Sequence, residues 1–140
     1  MRIAIACDHG GIELKEQVSS LLRALGATVL DLGCQPGESV DYPQYGQAVC
    51  REILEGRCEQ GILICGSGIG MSMVANRFPG IRAALCHELF TARLSREHND
   101  ANVLCLGARI VGPGLALEMV RTWLATAYAG GRHQRRIEMF

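Results

Sequence analysis

Three short segments of this 140-residue chain hold side chains whose chemistry is poorly explained by packing. The first is Cys65-Gly66-Ser67-Gly68-Ile69-Gly70, a thiol at the end of an apolar run followed by closely spaced glycines. Glycines let backbone N–H groups turn toward a ligand at a helix N-terminus, and such a place stabilises anions. A thiol there is positioned to act as a nucleophile or a base. The familiar glycine-loop motifs do not fit. A P-loop needs GxxxxGK[ST], and no lysine lies here. A dinucleotide fingerprint follows the first strand with a different glycine spacing. A cysteine-phosphatase loop would need an arginine six residues past the thiol, where Met71 stands. The plain alternative is a buried cysteine in a tight turn.

The second segment is Asp8-His9, a carboxylate and an imidazole directly after the first apolar run; Asp8 could also serve as a helix cap. The third is His98-Asn99-Asp100, where a histidine at a helix C-terminus is also a common cap. Around these lie Arg109, the pair Asp41-Tyr42 in a long loop, and a basic tail holding Arg132, Arg135 and Arg136. Guanidinium groups grip phosphates and carboxylates with a planar fork. A charge run can equally be a solvated face, and His133 within the tail has no separate reading.

Five short apolar runs must position these groups. They are Ile3–Cys7, Ala27–Leu32, Gly61–Cys65, Ile81–Cys86 and Val103–Leu106, and all read as buried strands. Between them, Ile12–Leu25, Tyr45–Leu54, Met71–Arg77 and Glu88–Glu97 read as helices, with a last helix from Gly112 to about Tyr128. Strands alternating with helices predict a single α/β domain over residues 1–140. Its architecture is three-layer α/β/α with a five-stranded parallel, doubly wound (Rossmann-like) sheet and a basic C-terminal tail from about residue 129. The commonest order for such a sheet places strand one beside strand three, and ligands bind at that switch point outside the carboxyl ends of the strands. The Asp8-His9 loop and the Cys65–Gly70 loop should then face each other across one crevice, with Arg109 on the same edge. His98, Asn99 and the tail fall at the opposite, amino edge. They could reach a crevice only if a second subunit presents its carboxyl edge to them, so a site shared within an oligomer is expected.

Composition narrows the partners. Fourteen basic residues balance fourteen acidic ones, which argues against nucleic acid or an anionic membrane surface. Thirteen of the basic residues are arginine and one, Lys15, is lysine; this fits phosphate binding, but genome composition produces the same bias. Seven scattered cysteines form an odd set without CxxC, the pattern of reduced thiols in a soluble, cytoplasmic protein, and no spacing suits a metal. No apolar run approaches a membrane span, and the first is too short for a signal peptide.

Taken together, DHGG, VDYP, ILICGSGIGMSMVANR, GIRAAL, SREHNDANVL, GARIVG and GGRHQRR resemble type B ribose-5-phosphate isomerase. That family also contains allose-6-phosphate and galactose-6-phosphate isomerases. The resemblance covers nearly the whole chain, in order and at matching spacing. It implies aldose–ketose interconversion of a sugar phosphate through a cis-enediolate, without metal or organic cofactor. By the same resemblance Cys65 is the base that moves a proton between C1 and C2, Ser67 assists exchange at the oxygens, and the Gly66–Gly70 backbone with Gly68 and Ile69 stabilises the enediolate. His98 is the acid that opens the ring, with Asn99 beside it. Asp8 and His9 contact the sugar and its phosphate end, Tyr42 lines the pocket, and Arg109, Arg132 and Arg136 hold the phosphate. Arg135 does not match and faces solvent.

One branch of the family lacks the cysteine and carries a glutamate at the position of Met71; here the thiol is present. In the galactose-6-phosphate enzymes the motifs are divided between two chains. This chain carries all of them, so a homodimer, or a tetramer built from it, completes the site, and ribose 5-phosphate is favoured. Ser67 replaces a common threonine and keeps the hydroxyl. The competing readings are the same reaction on a six-carbon sugar phosphate such as allose 6-phosphate, and a sugar-phosphate-binding module without turnover. A redox role for Cys65 is weaker, because no resolving thiol is apparent nearby.

Overall fold

Aliphatic runs become strands and the amphipathic stretches between them become helices in the computed structural model, which describes all 140 residues. In chain order these are β1 (Arg2–Cys7), α1 (Ile12–Ala24), β2 (Thr28–Asp31), α2 (Tyr42–Leu54), β3 (Gln60–Cys65), α3 (Ile69–Ala75), β4 (Ala83–Leu85), α4 (Leu89–Glu97), β5 (Val103–Gly107), α5 (Pro113–Ala125) and α6 (Arg132–Ile137). The strands form one all-parallel sheet in the order β2-β1-β3-β5-β4. It is the three-layer, doubly wound α/β architecture that the alternation predicts, with β1 beside β3.

The strand interiors are apolar on both faces because helices cover both. Ile3, Ile5, Ile62, Ile64, Leu104 and Leu106 point to one side and meet Val18 and Leu22 of α1, Ala92 of α4 and Met119 and Trp123 of α5. The alternate residues Ala4, Ala6, Leu63, Cys65, Val103 and Cys105 point to the other and meet Val49 of α2 and Met71 and Ala75 of α3. Small side chains dominate that second layer, so α2 and α3 sit close to the sheet.

The order of the last two strands is the feature the sequence leaves open. β4 lies at the edge and β5 returns inward between β3 and β4. A right-handed crossover that steps back across the sheet sends its helix to the opposite face. Therefore α4 joins α1 and α5, and it packs along α5.

Several element ends differ from the periodicity. α2 starts at Tyr42 because Pro43, in its first turn, has φ preset for a helix; Tyr42 thus stands in a helix, not in the long loop. α3 starts at Ile69, with Gly68 left-handed at its N-cap. β4 is confined to three residues, since ahead of it the Arg82 N–H turns to the Asn102 side chain (2.8 Å). α5 ends at Ala125, where Thr126 becomes extended, and the basic tail forms the short helix α6 without a buried residue. No helix is long and apolar enough to cross a membrane.

The long loop after β2 is anchored by the single lysine. Lys15, 4% exposed, places Nζ 2.7 and 2.8 Å from the two Asp31 carboxylate oxygens and 3.4 Å from the Cys34 carbonyl. Asp31 also accepts the Gly33 N–H at 2.9 Å. Removing the carboxylate strands a buried ammonium, whereas removing the ammonium leaves a carboxylate that keeps a third of its surface in water. Asp31→Ala is therefore expected to lower unfolding free energy in urea by about 3 kcal/mol, and Lys15→Met by clearly less. Equal losses would contradict this asymmetry.

Candidate active site

At the carboxyl edge, β1 and β3 end side by side, and the Asp8 N–H donates to the Ile64 carbonyl at 3.1 Å. A crevice of about 550 Å³ opens there, lined by Asp8, Tyr42, Cys65, Gly66, Ser67, Ile69, Gly70, Met73, Arg109 and Ile110. Asp8 leaves β1 and folds its carboxylate back onto the Gly10 N–H (2.9 Å). Cys65 is the last residue of β3, and its Sγ accepts the Gly68 N–H at 3.1 Å. An N–H aimed at sulfur favours negative charge on it. The Ser67 hydroxyl accepts the Ile69 N–H at 3.2 Å. The Arg109 loop is tied to the glycine loop by Ala108 N–H to Cys65 O and Arg109 N–H to Gly66 O, each 2.9 Å.

Two glycines of the loop make close contacts. Gly68 has φ +79°, and a Cβ there would lie 2.6 Å from Leu85 Cδ1 and 3.0 Å from the Leu106 backbone. A Cβ on Gly70 would lie 2.5 Å from Tyr42 Cζ and 2.7 Å from its hydroxyl, so the phenol rests against the glycine backbone. Cys65 is 5% exposed and lines the crevice. Burial pushes the thiols of Cys50 and Cys7 up, to about 11 and about 12, and raises those of Cys58, Cys86 and Cys105 as well. All seven cysteines are free thiols.

Most of the residues expected at the carboxyl edge are thus in one place. His9 is beside them but turns out of the crevice, its Nδ1 accepting the Val40 N–H at 3.3 Å. Met73 and Ile110 line the crevice without having been singled out. Met73 lies one turn beyond Ile69 once α3 begins there, so helix phase was the signal for it, while Ile110 simply follows Arg109 in the turn after β5.

The other expected residues are not in this crevice. His98 is the C-cap of α4, and Asn99 follows it at the amino edge. Asp100, left-handed at φ 45°, locks this turn by binding Arg82 (3.0 Å) and Arg96 (2.7 Å). The Ala129 N–H donates to Glu97 O at 2.9 Å, and α6 then folds back so that the His133 and His98 rings stack. Arg132 and Arg136 lie exposed on α6. Like Arg109, neither has a carboxylate partner within the chain. No group of three or more His, Cys, Asp or Glu side chains is placed to hold a metal ion.

Fold and crevice define the class: a doubly wound α/β protein with a thiol and an arginine at its switch point. Residues 3–140 match the family model described as Ribose/Galactose Isomerase. The chain is 47% identical to ribose-5-phosphate isomerase B of Escherichia coli, covering 98% of this chain and 92% of that protein. It is 41% identical to a D-erythrulose-4-phosphate isomerase of Pectobacterium atrosepticum, with 99% and 91% covered. The structure of ribose-5-phosphate isomerase B from Clostridium thermocellum superposes with a TM-score of 0.97 at 50% identity, over 99% of this chain and 94% of that one. The protein belongs to the ribose/galactose isomerase family and is an isomerase.

The glycine loop gives a test independent of turnover. Gly68 and Gly37 both have positive φ, +79° and +88°, but nothing lies within 4 Å of a Cβ on Gly37. Each alanine carries a backbone cost of about 1–2 kcal/mol. Gly68→Ala should exceed Gly37→Ala in urea unfolding, the excess reporting how tightly the loop is held against β5.

Proposed function

We propose that this protein interconverts ribose 5-phosphate and ribulose 5-phosphate through a cis-enediolate, at a site built from two copies of the chain. The observation that carries the reading is the Cys65 sulfur at 3.1 Å from the Gly68 N–H, opening into a crevice shared with Asp8, Ser67 and Arg109. Such a substrate asks for a base, an anion-stabilising backbone and a phosphate grip, and these stand together there. The furanose first opens as His98 gives a proton to the ring oxygen and the anomeric hydroxyl loses one. Cys65 as thiolate then removes the proton from C2 of the aldehyde form. The charge that develops on O1 is met by N–H groups of the Gly66–Gly70 loop. Ser67 passes a proton between O1 and O2, and the Cys65 thiol returns its proton to C1, which leaves the ketose and regenerates the thiolate. Arg109, Arg132 and Arg136, with His9 at the rim, hold the phosphate, whose remote binding energy keeps the reacting carbons in place. Asp8, Tyr42 and Asn99 contact the sugar hydroxyls. No metal or organic cofactor enters this scheme.

His98, Asn99, Arg132 and Arg136 stand at the amino edge of their own chain, so a second copy must bring them to the crevice. Exposed Ile69 (47%), Met73 (66%) and Ile110 (57%) form an apolar rim for that copy to cover. A homodimer, or a tetramer built on it, follows from this reading, and a cytoplasmic setting suits its free thiols.

Cys65→Ala is expected to abolish turnover of ribose 5-phosphate by at least about 10²-fold while sugar-phosphate binding persists. Allose 6-phosphate assayed beside it separates the five-carbon from the six-carbon reading, and wild type that binds ribose 5-phosphate without turning it over would make the protein a binding module. Undiminished turnover by the variant would refute the thiol base, and loss of wild-type activity in EDTA would refute the metal-free scheme. Sharing of the site is tested by refolding Cys65→Ala and His98→Ala chains together. Hybrids make up about half of randomly assorted dimers and carry one complete site of two, so about one quarter of wild-type activity should return. No recovery in confirmed hybrids would place the whole site in one chain.

A further inference from the structure

The His98–His133 stack at the amino edge has not been given a role by the residues' motifs or by the reaction scheme. The two rings come from different elements: His98 caps α4, and His133 is the second residue of α6. Their centroids lie 4.3 Å apart and their planes differ by 13°. Neither imidazole nitrogen makes a hydrogen bond within the chain, and the nearest carboxylate oxygen, Glu97 Oε1, is 4.0 Å from His98 Nε2. A histidine that acts as a general acid is usually oriented by a hydrogen bond to its second nitrogen. Here no such bond is made, and the flat face of another ring lies against the imidazole instead. The approach of α6 is arranged for it: Gly130 and Gly131, at φ 62° and 57°, reverse the chain just after Ala129 has bonded to Glu97 O. α6 buries none of its residues, and His133 is one of only two that are half-buried.

We propose that His133 is a positioning residue for His98, holding its ring by face-to-face stacking in the orientation from which it protonates the ring oxygen of the sugar. This rests on the ring-opening role assigned to His98 above. One face of His98 is covered, while both nitrogens on its edge stay free to meet substrate. The charge balance supports the pairing. Partial burial lowers the proton affinity of His133, as do the neighbouring His98, Arg132 and Arg136, against the opposing pull of Glu97. A ring with lowered proton affinity competes less with a neighbour that must carry a proton.

The test separates ring opening from proton transfer at carbon. Ribulose 5-phosphate is open-chain, because its O5 is esterified and cannot close onto C2. Exchange of its C1 hydrogen with D2O therefore needs Cys65 and the glycine loop but no ring-opening acid. His133→Ala should slow conversion of ribose 5-phosphate at least about tenfold and change the C1 exchange rate by less than about twofold. His133→Phe keeps a flat face and should restore conversion to within about threefold of wild type. Equal loss of both rates in His133→Ala, or no rescue by phenylalanine, would overturn the positioning role. His98→Ala is run beside them. If it shows the split and His133→Ala does not, the positioning proposal falls while the ring-opening assignment stands; if His98→Ala shows no split, the ring-opening assignment falls and the proposal with it.

Discussion

A right-handed crossover between parallel strands can send its helix to only one face once the position of the next strand is set. That constraint places every side chain of consequence in this isomerase. From β1 the chain steps outward to β2 and then back across to β3, so α1 and α2 take opposite faces and a cleft opens between the carboxyl ends of β1 and β3. Asp8 and Cys65 stand on its two sides because each comes at the end of one of these strands. At the other side of the sheet β5 turns inward from β4, which places α4 on the face of α1 and α5. Had β5 continued outward, α4 would have joined α2 and α3, and His98 could not have met the chain leaving α5.

The crevice itself is a matter of close backbone approach. Tyr42 rests on Gly70, Leu85 and the Leu106 backbone close around Gly68, and the β5 loop is bonded to Cys65 and Gly66. These contacts fix the direction of the Gly68 N–H, which donates to the Cys65 sulfur at the mouth of the crevice. Cys105 is fully buried one strand away, and its thiol is pushed well up by desolvation first and by the neighbouring Cys50, Cys65 and Cys86 after it. Residue type is the same in both cases; position against a turned backbone is what differs.

Arginine usage divides in a similar way. Arg57, Arg82, Arg93, Arg96 and Arg121 have carboxylate partners, and Arg82 with Arg96 clamp the turn at Asp100. The other eight arginines have none, and three of these, Arg109, Arg132 and Arg136, stand on the two edges that the proposed dimer brings together. A molecule of zero formal charge can thus concentrate positive charge locally without a general attraction for polyanions.

Much of this was legible in the order of residues. Alternating aliphatic runs and amphipathic stretches specify a parallel α/β sheet, because strands buried on both faces carry no polar phase. The end of an apolar run followed by Asp8-His9 or by Cys65-Gly66-Ser67-Gly68 marks where the crevice lies, since strand ends face the switch point. Tyr42 falls in a polar stretch rich in glycine and proline that reads as a loop, whereas Pro43 in the first turn of α2 is suited to start a helix. The sequence alone determined which groups are available and at which edge of the sheet each emerges, both of which follow from local periodicity. Only the tertiary structure decided the inward return of β5, the turning of His9 toward Val40 and the stacking of His133 on His98. Each of these joins segments far apart in the chain through packing, and no local pattern records such a choice.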